Sequence, residues 1–150
     1  MNTIERLREI SKPLIGRTQF SFSVQNDLAG FLSALNSKEN HASIDLDGIV
    51  LNGKPCTGKT EILEKVLVDR TKIIYPETDE VDDSLIENSN VFIALDEGNK
   101  FEEKKLVTYL DKIKKSGKKF ILSVQHFDSL SDSVKKKITT GFKNVEIINL

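Results

Sequence analysis

One short segment, bounded by glycines, restricts the fold of this chain more than any other feature. It reads Gly53-Lys54-Pro55-Cys56-Thr57-Gly58-Lys59-Thr60 and matches the pattern G-x-x-x-x-G-K-[ST] at every fixed position. The apolar run Ile49-Val50-Leu51 precedes the segment, and residues 61–67 follow it with helical spacing. A strand, a glycine-bounded loop and a helix in this order are the context that supports a phosphate-binding loop.

The residues of this loop suit the binding of a nucleotide. Backbone N–H groups of the loop can surround phosphate oxygens, and the N-terminus of the following helix adds positive potential. We expect Lys59 to reach the β- and γ-phosphates and the Thr60 hydroxyl to hold Mg²⁺. The sequence therefore predicts a nucleotide and Mg²⁺ site formed by residues 53–60 together with Glu61.

An acidic pair ends the longest apolar run of the chain. Asp96 and Glu97 come directly after residues 91–95. Parallel sheets present ligands beyond the carboxyl ends of their strands, so Asp96 is expected at the same edge as the phosphate loop. We predict that Asp96 holds the Mg²⁺ shell through water and that Glu97 is the general base that polarises the attacking water.

Gln125 is a third candidate for catalysis, because it directly follows the strand predicted over residues 119–124. If that strand lies beside the strand of the phosphate loop, the amide points towards the γ-phosphate, where it can sense the phosphate or orient water. The alternative is a polar residue that only ends the strand. The neighbouring His126 has no cluster of cysteines or histidines around it in sequence, so a zinc site is not predicted.

The alternation of continuous apolar runs with amphipathic stretches predicts an α/β fold with a mainly parallel sheet and right-handed crossovers. Strands are predicted over 49–52, 72–75, 90–95, 119–124 and 144–149. Helices are predicted over 1–10, from Asn26 through Leu35, and over 59–69, 101–115 and 129–140. Residues 16–24 fit either a loop or a short β segment, residues 77–83 an acidic connector, and residues 83–88 one or two helical turns.

Length and composition predict a single compact domain, in which residues 1–45 form a helical extension and residues 46–150 form the core. The longest apolar run is too short to cross a bilayer, and the N-terminus lacks the pattern of a signal peptide. The single cysteine, Cys56, fits a reducing compartment. We therefore expect a cytoplasmic protein without a membrane segment.

The net charge of −1 is unevenly distributed. Residues 61–99 carry three basic and eleven acidic side chains, a net of −8, whereas residues 100–150 carry twelve lysines and six acids, a net of +6. A basic C-terminal third is compatible with DNA binding, although lysines on solvated helix faces are common.

The loop (Walker A) and the acidic pair (Walker B) resemble the additional-strand, catalytic-glutamate class of P-loop NTPases, because Glu97 follows the strand-ending Asp96. That resemblance implies a three-layer fold with strand order 5-1-4-3-2. The turn at 116–119, the run ending in Gln125 and the following residues 128–130 are similar to the FtsK/HerA group over about residues 46–150. This group contains hexameric DNA-translocating pumps, conjugation coupling ATPases and viral packaging ATPases.

The resemblance implies a Mg²⁺-dependent ATPase that acts on DNA as a homo-oligomer. ATP is favoured over GTP by the resemblance alone, and no Asn-Lys-x-Asp element occurs. The alternatives are an AAA+-like or viral superfamily-three helicase-like ATPase, which fits less well because Gln125 replaces the usual Asn or Thr, and a nucleotide-binding switch with little turnover. The alternative of a nucleotide-binding switch is retained because none of the four arginines is assignable as an arginine finger.

Overall fold

A parallel sheet of five strands organises the part of the chain that the computed structural model describes, namely residues 3–11, 28–33, 45–54, 58–66, 73–76, 86 and 92–150. The strands are β1 (Gly48–Asn52), β2 (Ile73–Ile74), β3 (Phe92–Leu95), β4 (Lys119–Val124) and β5 (Val145–Asn149). Their spatial order is β2-β3-β4-β1-β5, and every neighbouring pair is parallel. Read from the other edge, this order is 5-1-4-3-2, so the predicted fold class and strand order are confirmed.

The helices of the described residues are α1 (Thr3–Ser11), α2 (28–33), α3 (Lys59–Val66), α4 (Glu103–Lys115) and α5 (Asp132–Gly141). The predicted starts of the last two helices, at Phe101 and Ser129, were wrong. A 3-10 turn, Gly98–Lys100, precedes α4, and a second one, Phe127–Ser129, precedes α5. The true start of α5 follows Ser131, whose hydroxyl accepts a hydrogen bond of 3.3 Å from the Val134 N–H and so caps the helix.

Helices cover both faces of the sheet, because successive side chains of a strand point to opposite sides. Ile49 and Leu51 of β1 belong to a buried cluster that includes residues of α1, α2 and α3. Val50 belongs to a second cluster, which includes Leu110 of α4 and Ile138 of α5. The fold therefore has three layers, with the sheet in the middle.

The register of the strands aligns their carboxyl ends. Asn52 at the end of β1 pairs with Val124 at the end of β4, and Leu95 of β3 pairs with Leu122 of β4. The segments that follow β1, β3 and β4 consequently leave the sheet at one edge, which is where a parallel sheet places ligands.

Several sequence predictions fall outside the described residues: the β segment or loop at 16–24, the connector at 77–83, and the helical turns at 83–88 apart from the buried, helical Ile86. Pro55, Cys56 and Thr57 of the phosphate loop also lie outside them. Within the described ranges, none of the helices has the length and apolar character needed to cross a membrane.

Candidate functional site

The two ends of the glycine-bounded loop are fixed by backbone contacts. The N–H of Gly53 donates a hydrogen bond of 3.0 Å to the carbonyl of Val124, which attaches the start of the loop to β4. Gly58, at the other end, has φ of 85°, a left-handed conformation that glycine adopts without steric cost. Its carbonyl accepts the Ile62 N–H at 3.0 Å, so α3 begins directly at this glycine.

Lys59 folds back over the loop from the first turn of α3. Its ammonium group donates to the carbonyl of Gly53 and, at 2.7 Å, to the carbonyl of Lys54. Both acceptors belong to the start of the loop, five and six residues earlier in the chain. The cation of Lys59 therefore lies against the loop that the sequence pattern assigns to phosphate binding.

Thr60 and Asp96, the two predicted metal ligands, are in direct contact. The Thr60 hydroxyl donates a hydrogen bond of 2.9 Å to Oδ2 of Asp96, although the two residues are 36 positions apart. Asp96 is only 3% exposed, so its carboxylate needs such partners to offset the loss of hydration. A hydroxyl and a carboxylate side by side are hard oxygen donors of the kind that Mg²⁺ prefers.

Among the described residues there is no group of three or more His, Cys, Asp or Glu side chains that could hold a metal by themselves. A Mg²⁺ ion typically takes one or two protein ligands and completes its shell with water and substrate phosphates. The Thr60–Asp96 pair fits this pattern.

Ser123 is a site residue that sequence reasoning missed. Its side chain is fully buried in β4, and its hydroxyl donates to Oδ1 of Asp96 while it accepts the Glu97 N–H at 2.9 Å. The same Glu97 N–H also lies 3.0 Å from Oδ1 of Asp96. The only signal in the sequence was a hydroxyl residue within an otherwise apolar strand, which by itself does not indicate its partner.

Glu97 stands in a strained backbone conformation. Its φ of 54° and ψ of 52° place it in the left-handed region, which residues other than glycine rarely adopt. The next residue, Gly98, is tightly packed: a Cβ atom there would lie 2.7 Å from Leu122 Cδ1 and 2.8 Å from Val124 Cγ1, so these buried methyl groups would have to shift. The turn after β3 therefore packs tightly on β4, and strain of this kind is often concentrated at functional sites.

The carboxylate of Glu97 forms an ion pair with Lys100, whose ammonium group lies 3.2 Å from Oε1. The Glu97 side chain is 39% exposed and that of Lys100 is 58% exposed. Exposed pairs of this kind contribute little free energy, about 0–1 kcal/mol. The carboxylate can consequently leave Lys100 at low cost and turn towards the neighbouring cavity.

Gln125 lies directly after β4, as predicted, and its backbone N–H donates to Oδ1 of Asn99 at 2.5 Å. Asn99 is a second residue that sequence reasoning missed. Its amide also donates to the carbonyl of His126 at 3.2 Å and to the Ser129 hydroxyl at 3.0 Å. The turn after β3 and the segment after β4 are thereby joined.

These residues surround one cavity of about 250 Å³ at the carboxyl edge of the sheet. The predicted residues that line it are Gly58, Lys59, Thr60, Glu61, Asp96, Glu97 and Gln125. Asn99, Lys100, Ser123 and Val124 complete the lining. Gly53 and Lys54 contribute through the carbonyls that hold Lys59. The cavity thus brings together the predicted site residues 58–61 with those that follow β3 and β4.

The strand order, the loop between β1 and α3, and the acidic pair after β3 are arranged as the resemblance to P-loop NTPases implied. No family model matches the sequence, and no curated protein matches it. Among solved structures the chain is similar to PCH-2 of C. elegans, with 17% sequence identity and a TM-score of 0.47 over 92% of this chain. The match spans 46% of that protein, less than half of its length. The more specific resemblance to the FtsK/HerA group stays a prediction.

The left-handed backbone conformation of Glu97 predicts that glycine at this position gives a more stable protein than alanine does. Glu97→Gly should be more stable than Glu97→Ala by about 1 kcal/mol, because both remove the carboxylate and only glycine relieves the left-handed strain. Urea denaturation of the two variants measures this difference. At the exposed helical position Lys114 the order should reverse, with Lys114→Gly less stable than Lys114→Ala. Equal stability of the two Glu97 variants would contradict the strained conformation.

Proposed function

We propose that this chain binds ATP together with Mg²⁺ and hydrolyses the β–γ phosphoanhydride bond. The observation that carries the proposal is the hydrogen bond between Thr60 and Asp96. It joins the last residue of the phosphate-loop pattern to the acid that ends β3, and it lies at a cavity that Lys59 also lines. Thr60 and Asp96 would hold the Mg²⁺ ion, which when bound neutralises phosphate charge.

Four further residues of the cavity have distinct parts in this proposal. The Lys59 ammonium group exchanges its contacts with the loop carbonyls for contacts with the β- and γ-phosphates. Glu97 accepts the proton of the attacking water, and Gln125 orients that water or senses the γ-phosphate. Ser123 keeps the Asp96 carboxylate oriented towards Thr60. Catalysis would rest on positioning and electrostatics, since phosphoryl transfer requires little covalent chemistry from the protein.

Lys59→Ala should abolish tight binding of Mg-ATP, because the substitution removes the ammonium group that lies against the loop. Isothermal titration calorimetry with Mg-ATP measures the effect. Lys114→Ala, which removes an exposed lysine of α4, serves as the matched control and should bind like the parent protein. Retained binding in the micromolar range by Lys59→Ala would reject the assignment of the loop.

Glu97→Gln should keep nucleotide affinity and lower the rate of hydrolysis by about 10²-fold or more, as expected for the loss of a general base. Gln125→Ala should likewise spare binding and lower turnover. A phosphate-release assay under saturating Mg-ATP measures both, with Glu102→Gln on the exposed start of α4 as the control. Unchanged turnover in Glu97→Gln would remove the base assignment. If the parent protein binds Mg-ATP without detectable turnover, the alternative of a nucleotide-binding switch with little turnover would be favoured.

We further propose that the ATPase acts on DNA through the lysines of α4 and α5, as a homo-oligomer of the kind that the FtsK/HerA resemblance implies. Both helices cover the same face of the sheet, and Lys104, Lys114, Lys115 and Lys136 are exposed. Other lysines of these helices are paired with acids: Lys137 with Asp111 at 2.5 Å and Lys135 with Asp132 at 3.6 Å. The exposed set is therefore the better candidate for binding DNA phosphates.

Replacing Lys104, Lys114, Lys115 and Lys136 together with Gln should weaken DNA binding and flatten its salt dependence. The slope of the logarithm of affinity against the logarithm of salt concentration should fall by about one for each DNA phosphate that a lysine no longer neutralises. Fluorescence anisotropy of a labelled duplex over a series of salt concentrations, with Mg-ATP present, measures this. The double variant Lys135→Gln, Lys137→Gln is the control, and it should lower the slope by less for each lysine replaced. DNA affinity that is undetectable at low salt in the parent protein would reject the action on DNA.

A further inference from the structure

We propose that Asn99 is a positioning residue that holds the turn carrying Glu97 and the segment carrying Gln125 in one arrangement. The inference rests on the proposed function, because Glu97 and Gln125 are the proposed catalytic residues that it would align. Asn99 lies two residues after Glu97, in the segment that follows β3, whereas Gln125 lies in the segment that follows β4.

The hydrogen bonds of the Asn99 side chain are concentrated on the segment after β4. Its Oδ1 accepts the Gln125 N–H, and its Nδ2 donates both to the His126 carbonyl and to the Ser129 hydroxyl. An asparagine amide offers an acceptor and two donors, and here all three hydrogen bonds go to residues 125–129. An apolar side chain at this position would make none of them.

The turn from which Asn99 projects is itself rigidly placed. The Lys100 N–H donates to the Glu97 carbonyl at 2.9 Å, and Gly98 packs against Leu122 and Val124 so closely that a Cβ atom there would displace their methyl groups. The Glu97 N–H donates a hydrogen bond to Ser123 of β4. Residues 97–100 therefore form a turn that is fixed against β4. The hydrogen bonds of Asn99 hold Gln125 at a defined position relative to this turn.

Asn99 also lies between two cavities. It lines the cavity of about 250 Å³ that holds Lys59, Thr60 and Asp96, and it lines a second cavity of about 230 Å³ near the first turns of α4 and α5. Of its hydrogen-bond partners, Gln125 lines the first cavity and Ser129 lines the second. Loss of these bonds would release the segment 125–129 from the turn after β3 without disturbing the phosphate loop or the Thr60–Asp96 pair.

An exposed asparagine that only stabilises a loop would have a different signature from a positioning residue. A stabilising role predicts that Asn99→Ala and Gln125→Ala lower turnover independently, so that their effects multiply in the double variant. A positioning role predicts that the two effects overlap, because Asn99 acts through Gln125.

The experiment combines kinetics with hydrogen exchange on the parent protein, Asn99→Ala, Gln125→Ala and the double variant. Asn99→Ala should lower kcat by roughly 10- to 100-fold, as small displacements of catalytic groups do, and leave Mg-ATP affinity within about twofold. The double variant should be no slower than the slower single variant. In the nucleotide-free protein, the Gln125 backbone amide should exchange faster in Asn99→Ala than in the parent. Asn144→Ala, at an exposed position before β5, is the control and should match the parent in every readout.

The outcomes separate this inference from the function on which it rests. If the parent protein hydrolyses ATP and Gln125→Ala is slow, but Asn99→Ala turns over like the parent or multiplies with Gln125→Ala, the positioning role is overturned and the ATPase stands. An unchanged exchange rate of the Gln125 amide in Asn99→Ala would overturn it as well. If the parent protein does not hydrolyse ATP, the proposed function fails and the inference fails with it.

Discussion

The buried carboxylate of Asp96 is the constraint on which the rest of the site depends. A charge that is only 3% exposed is tolerated when hydrogen bonds replace its lost hydration. Thr60 supplies one bond from α3, Ser123 supplies another from β4, and the Glu97 N–H supplies a third. Three separate parts of the chain must therefore meet at one point, and the same three parts carry the phosphate loop, the proposed base and the proposed γ-phosphate sensor.

The position of β4 between β1 and β3 makes this meeting possible. Because β4 pairs with both neighbours in parallel, its carboxyl end lies between the start of the phosphate loop and the acidic pair. The turn after β3 packs so closely on β4 that a Cβ atom at residue 98 would displace methyl groups of β4, and the same turn holds Glu97 in its left-handed conformation. The strained residue is thus the proposed general base itself. Asn99, in the same turn, accepts a hydrogen bond from the Gln125 N–H and so connects the turn to the segment after β4.

Sequence patterns predicted the sheet, the loop and the acidic pair because these features are local and periodic. Continuous apolar runs marked β1, β3 and β4, and the fixed residues of the loop gave its ends. The strand order came from a resemblance that depended on Glu97, and the structure confirms it. The starts of α4 and α5 were predicted two and three residues too early, because the apolar pattern continues through Phe101 and Leu130, which precede the helices that begin at Glu103 and Asp132.

Ser123 and Asn99 could not be predicted because their partners are distant in the sequence. Ser123 meets Asp96 across 27 positions, and Asn99 meets Gln125 across 26. The ion pair of Lys137 with Asp111 was equally hidden, because Asp111 of α4 approaches Lys137 of α5 only once both helices pack on the sheet. Non-local hydrogen bonds and ion pairs of this kind require the fold before they can be recognised.

Whether Thr60 and Asp96 hold the metal is tested by the Mg²⁺ dependence of ATP affinity in the parent protein and in Asp96→Asn, measured by calorimetry with the ion present and with it chelated. If Thr60 and Asp96 hold the metal, ATP binds the parent protein more tightly with Mg²⁺ than without it. In Asp96→Asn, which keeps the shape of the side chain and removes its charge, this difference should be lost. An ATP affinity of the parent protein that does not respond to Mg²⁺, or a full Mg²⁺ response in Asp96→Asn, would contradict the assignment.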